Sequence, residues 1–143
     1  MIRIPNWDLE LTKWAGAQIN QKVKWGVNDC SSLVRAGLNL IYDFNITEGV
    51  KWYRTVNGAI RTHIITGGAA ALLKKHGAYE IAPLLATTGD VMIVSQRQGD
   101  IADNASMILG RQFLLSEPGM DAVELRHIDE MIEDYNILRL PNG

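Results

Sequence analysis

The segment Asn28-Asp29-Cys30-Ser31-Ser32-Leu33-Val34, continued by Gly37-Leu38-Asn39-Leu40-Ile41, carries the most structural information in this chain. Polar residues suited to capping come first. Leu33, Val34, Leu38, Leu40 and Ile41 then recur at helical spacing, which predicts a largely buried helix beginning near Cys30. Gly37 lowers the propensity of that helix, so its presence implies close packing at that point. Cys30 falls in the first helical turn, where free backbone N–H groups and the helix dipole stabilise an anion. A thiol so placed is acidified toward the nucleophilic thiolate. A small buried cysteine that fills a core gap suits the same position, and position alone leaves both readings open.

Upstream, Pro5-Asn6 is followed by Trp7, Leu11, Trp14 and Ala15, an apolar stripe that predicts a helix fading by about Asn20. Asn6 is its expected N-cap and Asp8 suits the positive end of its dipole. Residues 21–27, with Trp25-Gly26, form a short connector. Downstream, residues 43–66 show no decisive pattern. Gly67-Gly68 leads into Ala69, Ala70, Leu72 and Leu73, a short helix with Lys74-Lys75 near its end and His76-Gly77 as its stop. Strand-like stretches follow at 91–94, 105–109, 112–115, 122–125 and 135–140, the second and third joined at Gly110-Arg111. Helices first and antiparallel strands after them give an α+β class, with helices packed on a small antiparallel sheet. No repeat or linker divides the chain, so residues 1–143 read as one domain.

Composition narrows function. Of 143 residues, 47% are apolar and 21% charged, with a formal net charge of −2. No basic stripe is present, so nucleic acid is not an expected partner. With one cysteine there is neither an internal disulfide nor zinc-finger spacing. Gly67-Gly68 lacks the Lys-Ser/Thr of a phosphate loop. No cofactor and no metal are expected. The first residues lack the apolar core of a secretory signal, and no run approaches a membrane span. The expected site of synthesis is a cytoplasm.

Trp25-Gly26 followed by Asp29-Cys30-Ser31-Ser32-Leu33-Val34 resembles the nucleophile segment of the NlpC-like family of cell-wall cysteine peptidases. That family carries Asp-Cys-Ser-Gly-Leu-Val at the head of its central helix, so Ser32 stands where the family has Gly. Gly89-Asp90-Val91-Met92-Ile93 is similar to the family's second block, the strand before the one that bears its histidine. The short spacing between Trp-Gly and Asp-Cys resembles a branch encoded largely by bacteriophages and prophages. The resemblance implies a papain-like fold and Cys30 as nucleophile. It also implies a histidine early in Asn104-Ala105-Ser106-Met107-Ile108-Leu109-Gly110. That column falls on Asn104 or Ala105, and neither side chain is a general base. Val23 holds the position of the family's oxyanion-stabilising aromatic.

Three histidines remain. His63 lies in the undecided middle, His76 follows the short helix, and His127 precedes Ile128-Asp129-Glu130. Surface or capping roles are the ordinary reading of each, and His127 is the best replacement base by its acidic neighbours. Among the four tryptophans, Trp7 and Trp14 fit a core stripe. Trp25 is expected to wall a cleft beside Cys30, with Trp52 and Tyr53 on its other side, as aromatic walls suit peptide, glycan or protein contacts. Asp29 is expected to cap the Cys30 helix. Asp129, Glu130, Glu133 and Asp134 read as a solvated face.

Two functions follow from the resemblance. One is a phage-encoded structural or assembly protein of the tail or virion with a degenerate site, contacting other phage structural proteins or further copies of itself. The other is an active cysteine endopeptidase that cleaves peptidoglycan stem peptides.

Overall fold

Leu11 and Ala15 are buried on α1, Trp7–Gln18, and its two tryptophans pack at the edge of the same core. Asn6 precedes α1 in a left-handed conformation, φ 56°, and its side chain makes no cap bond. Asn tolerates that backbone better than most residues. The N-cap expected of its side chain is therefore absent, while Thr12 Oγ1 donates back to the Asp8 carbonyl at 2.8 Å. The computed structural model describes residues 1–95, 103–117 and 119–142.

The predicted central helix is α2, Cys30–Ile41, with Leu33, Val34, Leu38 and Ile41 buried. Gly37 is where α1 and Met107 close on it, because a Cβ there would lie 2.9 Å from Met107 Cε and 3.2 Å from the Trp14 ring. Part of the undecided middle is a third helix, α3, Val56–Thr66, whose N-cap Thr55 accepts a hydrogen bond from the Gly58 amide. Its apolar stripe was uninformative because it faces outward: Val56, Ile60, Ile64 and Ile65 are all exposed, while Thr62 is buried. The short helix α4, Ala69–Lys75, follows.

Six strands then form one antiparallel sheet in the order β1-β6-β2-β3-β4-β5. They are β1 Tyr79–Ile81, β2 Val91–Val94, β3 Asn104–Leu109, β4 Gln112–Leu115, β5 Glu124–His127 and β6 Tyr135–Arg139. The class is thus α+β, with four helices and an antiparallel sheet among the described residues. No helix among them is long and apolar enough to cross a membrane.

Side chains alternate across the sheet, as the two-residue period of a strand requires. Val91, Ile93, Ala105, Met107 and Leu114 meet α1 and α2. Met92, Val94, Ile108, Phe113 and Ile137 form a second cluster with Ala86 and Ile128, beside the 3-10 turns at Pro83–Leu85 and Ile128–Glu130. Both faces of β2 are buried, so its four apolar residues form an unbroken run.

Two strand expectations need correction. The three-residue β1 lay below what a pattern reading detects; it exists because β6 supplies its partner. The strand expected at 122–125 is β5, shifted to Glu124–His127. Val123 instead exchanges backbone bonds with the segment after α1, taking its amide bond to Gln21 O and receiving one from Asn20 N, both at 2.9 Å.

The second sequence block has a structural role. Asp90 is only 1% exposed. Its carboxylate accepts from Arg139 Nε and Nη2, each at 2.9 Å, and from the Thr87 amide. Arg139 thereby ties β6 to the turn that launches β2.

Candidate functional site

The β3–β4 hairpin is paired only at Ile108↔Phe113 and Leu109↔Gln112. Beyond the Ile108–Phe113 pair the two strands part, and Cys30 at the start of α2 lies between Ser106 and Ser116. Cys30 sits there 5% exposed. Its amide donates to the Ser116 carbonyl at 2.8 Å, and the Ser116 amide donates back to Cys30 Sγ at 3.2 Å. The Ser106 hydroxyl approaches the same sulfur at 3.7 Å.

Burial outweighs these donors. The Cys30 thiol is pushed up from its ordinary 9.0 to about 11, chiefly by desolvation, with the Ser116 and Ser106 hydrogen bonds opposing and Glu117 and Asp29 adding repulsion. The acidified thiolate expected from helix position alone is therefore not what the surroundings favour. The helix N-terminus does stabilise an anion, but removing the sulfur from water costs more.

Asp29 occupies the N-cap position of α2, φ −65° and ψ 165°, yet its side chain makes no cap bond. Its carboxylate instead gathers the loops around the helix start. Oδ1 accepts from the Gly26 amide at 2.7 Å and from the Ser32 hydroxyl at 2.6 Å, and Oδ2 accepts from the Tyr53 hydroxyl. Burial and the adjacent carboxylate raise the Tyr53 phenol, which holds its proton. Ser32 also accepts from Trp52 Nε1 at 2.9 Å.

The aromatic trio packs through this network. Trp52 stacks on Tyr53 with ring centroids 4.7 Å apart, and Trp25 meets Tyr53 edge-on at 6.0 Å. The Arg35 guanidinium lies 5.0 Å from the Trp52 ring centre. Gly26 permits the close approach of the two loops. A Cβ there would lie 2.0 Å from the Tyr53 carbonyl oxygen, at a φ of +75°.

Beside this network a cleft of about 520 Å³ opens between α2, α3, α4 and the start of β3. Cys30, Trp25, Asp29, Trp52, Tyr53 and Asn104 all border it. The structure thus brings together every expected site residue except His127. That histidine ends β5 opposite Gln112, at the far end of β4 from Ser116. Its Nδ1 accepts from the Asp129 amide at 3.2 Å and lies 3.4 Å from Asp129 Oδ2. As a base for Cys30 it is misplaced, because β4 lies between it and Ser116, where the sulfur is held.

The histidine that does reach the cleft is His63, on α3. It stands over Gly68, where an added Cβ would lie 3.2 Å from His63 Cε1 and 2.8 Å from Asp103 Oδ1. Asp103 accepts from the Ala69 and Ala70 amides at 2.9 and 3.0 Å. Sequence gave no signal for His63, since the helix that carries it was itself unread. Ser106 and Ser116 were missed because only the sheet brings them to Cys30. Among the described residues no cluster of ligating side chains suited to a metal is present.

A family model described as a domain of unknown function (DUF6950) matches residues 2–132. No curated protein matches the chain.

Proposed function

The chain belongs to the DUF6950 family, and we propose that it is a non-catalytic binding module built on a papain-like, NlpC-type fold. It serves as a structural or assembly component of a bacteriophage tail or virion, made in the host cytoplasm. The fold reading is supported by a cysteine-headed helix packed on an antiparallel sheet, with Gly89-Asp90 leading into the strand before Asn104. The phage reading is supported by the short spacing from Trp25-Gly26 to Asp29-Cys30 and by its resemblance to that branch.

One observation carries the non-catalytic part: Ser116 engages both the amide and the sulfur of Cys30. An acyl-transfer site needs free donors aimed at the developing oxyanion and a base within reach of the nucleophile. Here the Cys30 amide is already spent on a carbonyl, the thiol is protonated at neutral pH, and Asn104 falls in the histidine column of the NlpC-like family that the chain resembles.

The second reading, a cysteine endopeptidase acting on peptidoglycan stem peptides, is favoured by His63 sharing the cleft with Cys30. The deciding experiment measures amino groups released from purified peptidoglycan by the wild-type protein and its Cys30→Ala variant, beside an active endopeptidase. Equal background release by both is expected. Release that disappears in Cys30→Ala would establish the enzyme.

A further inference from the structure

Charge is unevenly divided along this chain. Residues 49–79 hold five Lys or Arg and no Asp or Glu, whereas residues 129–134 hold four acids and no base. Each stretch lies beside exposed, large apolar side chains, and the fold sets the two on opposite faces of the sheet.

The basic one is the outer face of α3. Ala59, Thr62, His63 and Thr66 turn toward the cleft. Helical spacing then turns Ile60, Arg61, Ile64 and Ile65 the other way. Ile64 is 73% exposed. Arg61 is exposed on the same face, and Arg54 is exposed just before the helix. Neither arginine forms an ion pair among the described residues.

The acidic one is built on the two 3-10 turns. Arg111 joins them, donating to the Pro83 carbonyl at 2.8 Å and facing Asp129 at 3.6 Å. Leu84 is 88% exposed and Ile132 97%. Glu130 and Asp134 are exposed on either side of Ile132 in the chain, and Asp129 stays 75% exposed although Arg111 and His127 lie near it. Beneath them Ala86, Ile128 and Met131 pack with Met92 and Val94, on the sheet face turned away from α1 and α2. Helix α3 instead touches α4, whose Leu73 belongs to the α1–α2 side.

We propose that the outer face of α3 docks the patch around Leu84 and Ile132 on a second copy of this chain, head to tail. The isoleucines of one copy and the apolar tips of the other leave water together, while Arg54 and Arg61 meet Asp129, Glu130 and Asp134. Exposed apolar patches rimmed by charge mark interaction sites, and complementary potentials select the partner. Pairing α3 with α3 sets Arg61 against Arg61 and is disfavoured. Because the complementary patches lie on opposite faces, a twofold dimer cannot engage both, so copies add in one direction until a ring closes or a filament grows. The inference goes beyond the reading of the cleft and stands whichever way the peptidoglycan assay falls.

The test is sedimentation velocity of the whole chain from micromolar to near-millimolar concentration. Wild type is expected to grow past a dimer and to dissociate as salt rises. Ile64→Glu and Ile132→Arg are each expected to weaken association more than about tenfold. Circular dichroism verifies that they fold, and Arg61→Glu or Glu130→Lys takes the place of one that does not. Mixed in equal amounts, the two variants are expected to form a one-to-one dimer and nothing larger, since one keeps an intact α3 face and the other an intact acidic patch. A monomeric wild type, variants that associate as wild type does, or a mixture without a dimer overturns the inference. So does a monomeric wild type that binds phosphatidylserine vesicles through Ile64, which assigns α3 to a membrane surface instead.

Discussion

The indole N–H of Trp52 donates to the Ser32 hydroxyl at 2.9 Å, and that hydroxyl donates onward to Asp29 at 2.6 Å. Ser32 is thus the link between the helix start and the aromatic wall. Ser32 is 3% exposed, so its loss cannot be repaired by bulk water. Ser32→Ala is expected to destabilise the fold by about 1–3 kcal/mol, the cost of leaving buried partners unsatisfied. Ser32→Gly should cost about 1 kcal/mol more through helix propensity. Urea denaturation measures both, and the Trp52 contribution to emission should shift in the native baseline.

Cys30 predicts a pH dependence. Its folded value, about 11, lies above the ordinary 9.0, so the native state holds this proton more tightly than the unfolded chain. The stabilisation is complete below pH 9 and is lost as pH rises through 11. By linkage its size reaches about 3 kcal/mol. Denaturation midpoints should fall more steeply from pH 8.5 to 10.5 in the wild type than in Cys30→Ala. Alkylation of native Cys30 at pH 7.5 should run slower than that of a free thiol; a faster reaction would contradict the buried, protonated state.

Gly26→Ala should be among the most damaging single changes. The new Cβ meets the Tyr53 carbonyl oxygen at 2.0 Å and the backbone φ is +75°, so neither the loop nor the residue has room to adapt. A loss above about 3 kcal/mol is expected, with the 25–29 turn and the 52–53 segment forced apart. Thermal unfolding with tryptophan emission as the probe reports both effects. A change under 1 kcal/mol would show that the two loops are not held in contact.

Arg139 and Asp90 predict an asymmetric pair. Asp90 is buried and takes two guanidinium bonds. Arg139→Leu leaves the carboxylate with the Thr87 amide alone and should cost about 2–4 kcal/mol. Asp90→Asn together with Arg139→Leu should recover part of that loss, because the stranded charge is gone. A double-mutant cycle in urea measures the coupling; strict additivity would mean the ion pair contributes nothing.

His127→Ala is expected to leave stability within about 0.5 kcal/mol of wild type, as for an ordinary surface substitution. Its side chain is 42% exposed and, among the described residues, paired within its own turn. A loss above about 1 kcal/mol in urea denaturation would show that its turn holds the end of β5 in place.

The chain by itself determined the elements whose signals are local. Helical spacing from Leu33 to Ile41, the stripe of α1 and the hairpin at Gly110-Arg111 were all legible, because each is fixed by contacts a few residues apart. The α+β class followed from their order. The aromatic residues around Cys30 were legible too, as candidates. Tertiary structure alone decided what those candidates amount to. Helix α3 escaped notice because its apolar residues face solvent, and β1 because an edge strand of three residues exists only through its partner. His63 and Ser116 lie far from Cys30 in sequence, and only the fold brings them to its cleft. A helix N-terminus predicts an acidic thiol, but burial between β3 and Ser116 outweighs the dipole, and burial is a property of the folded chain rather than of any segment in it.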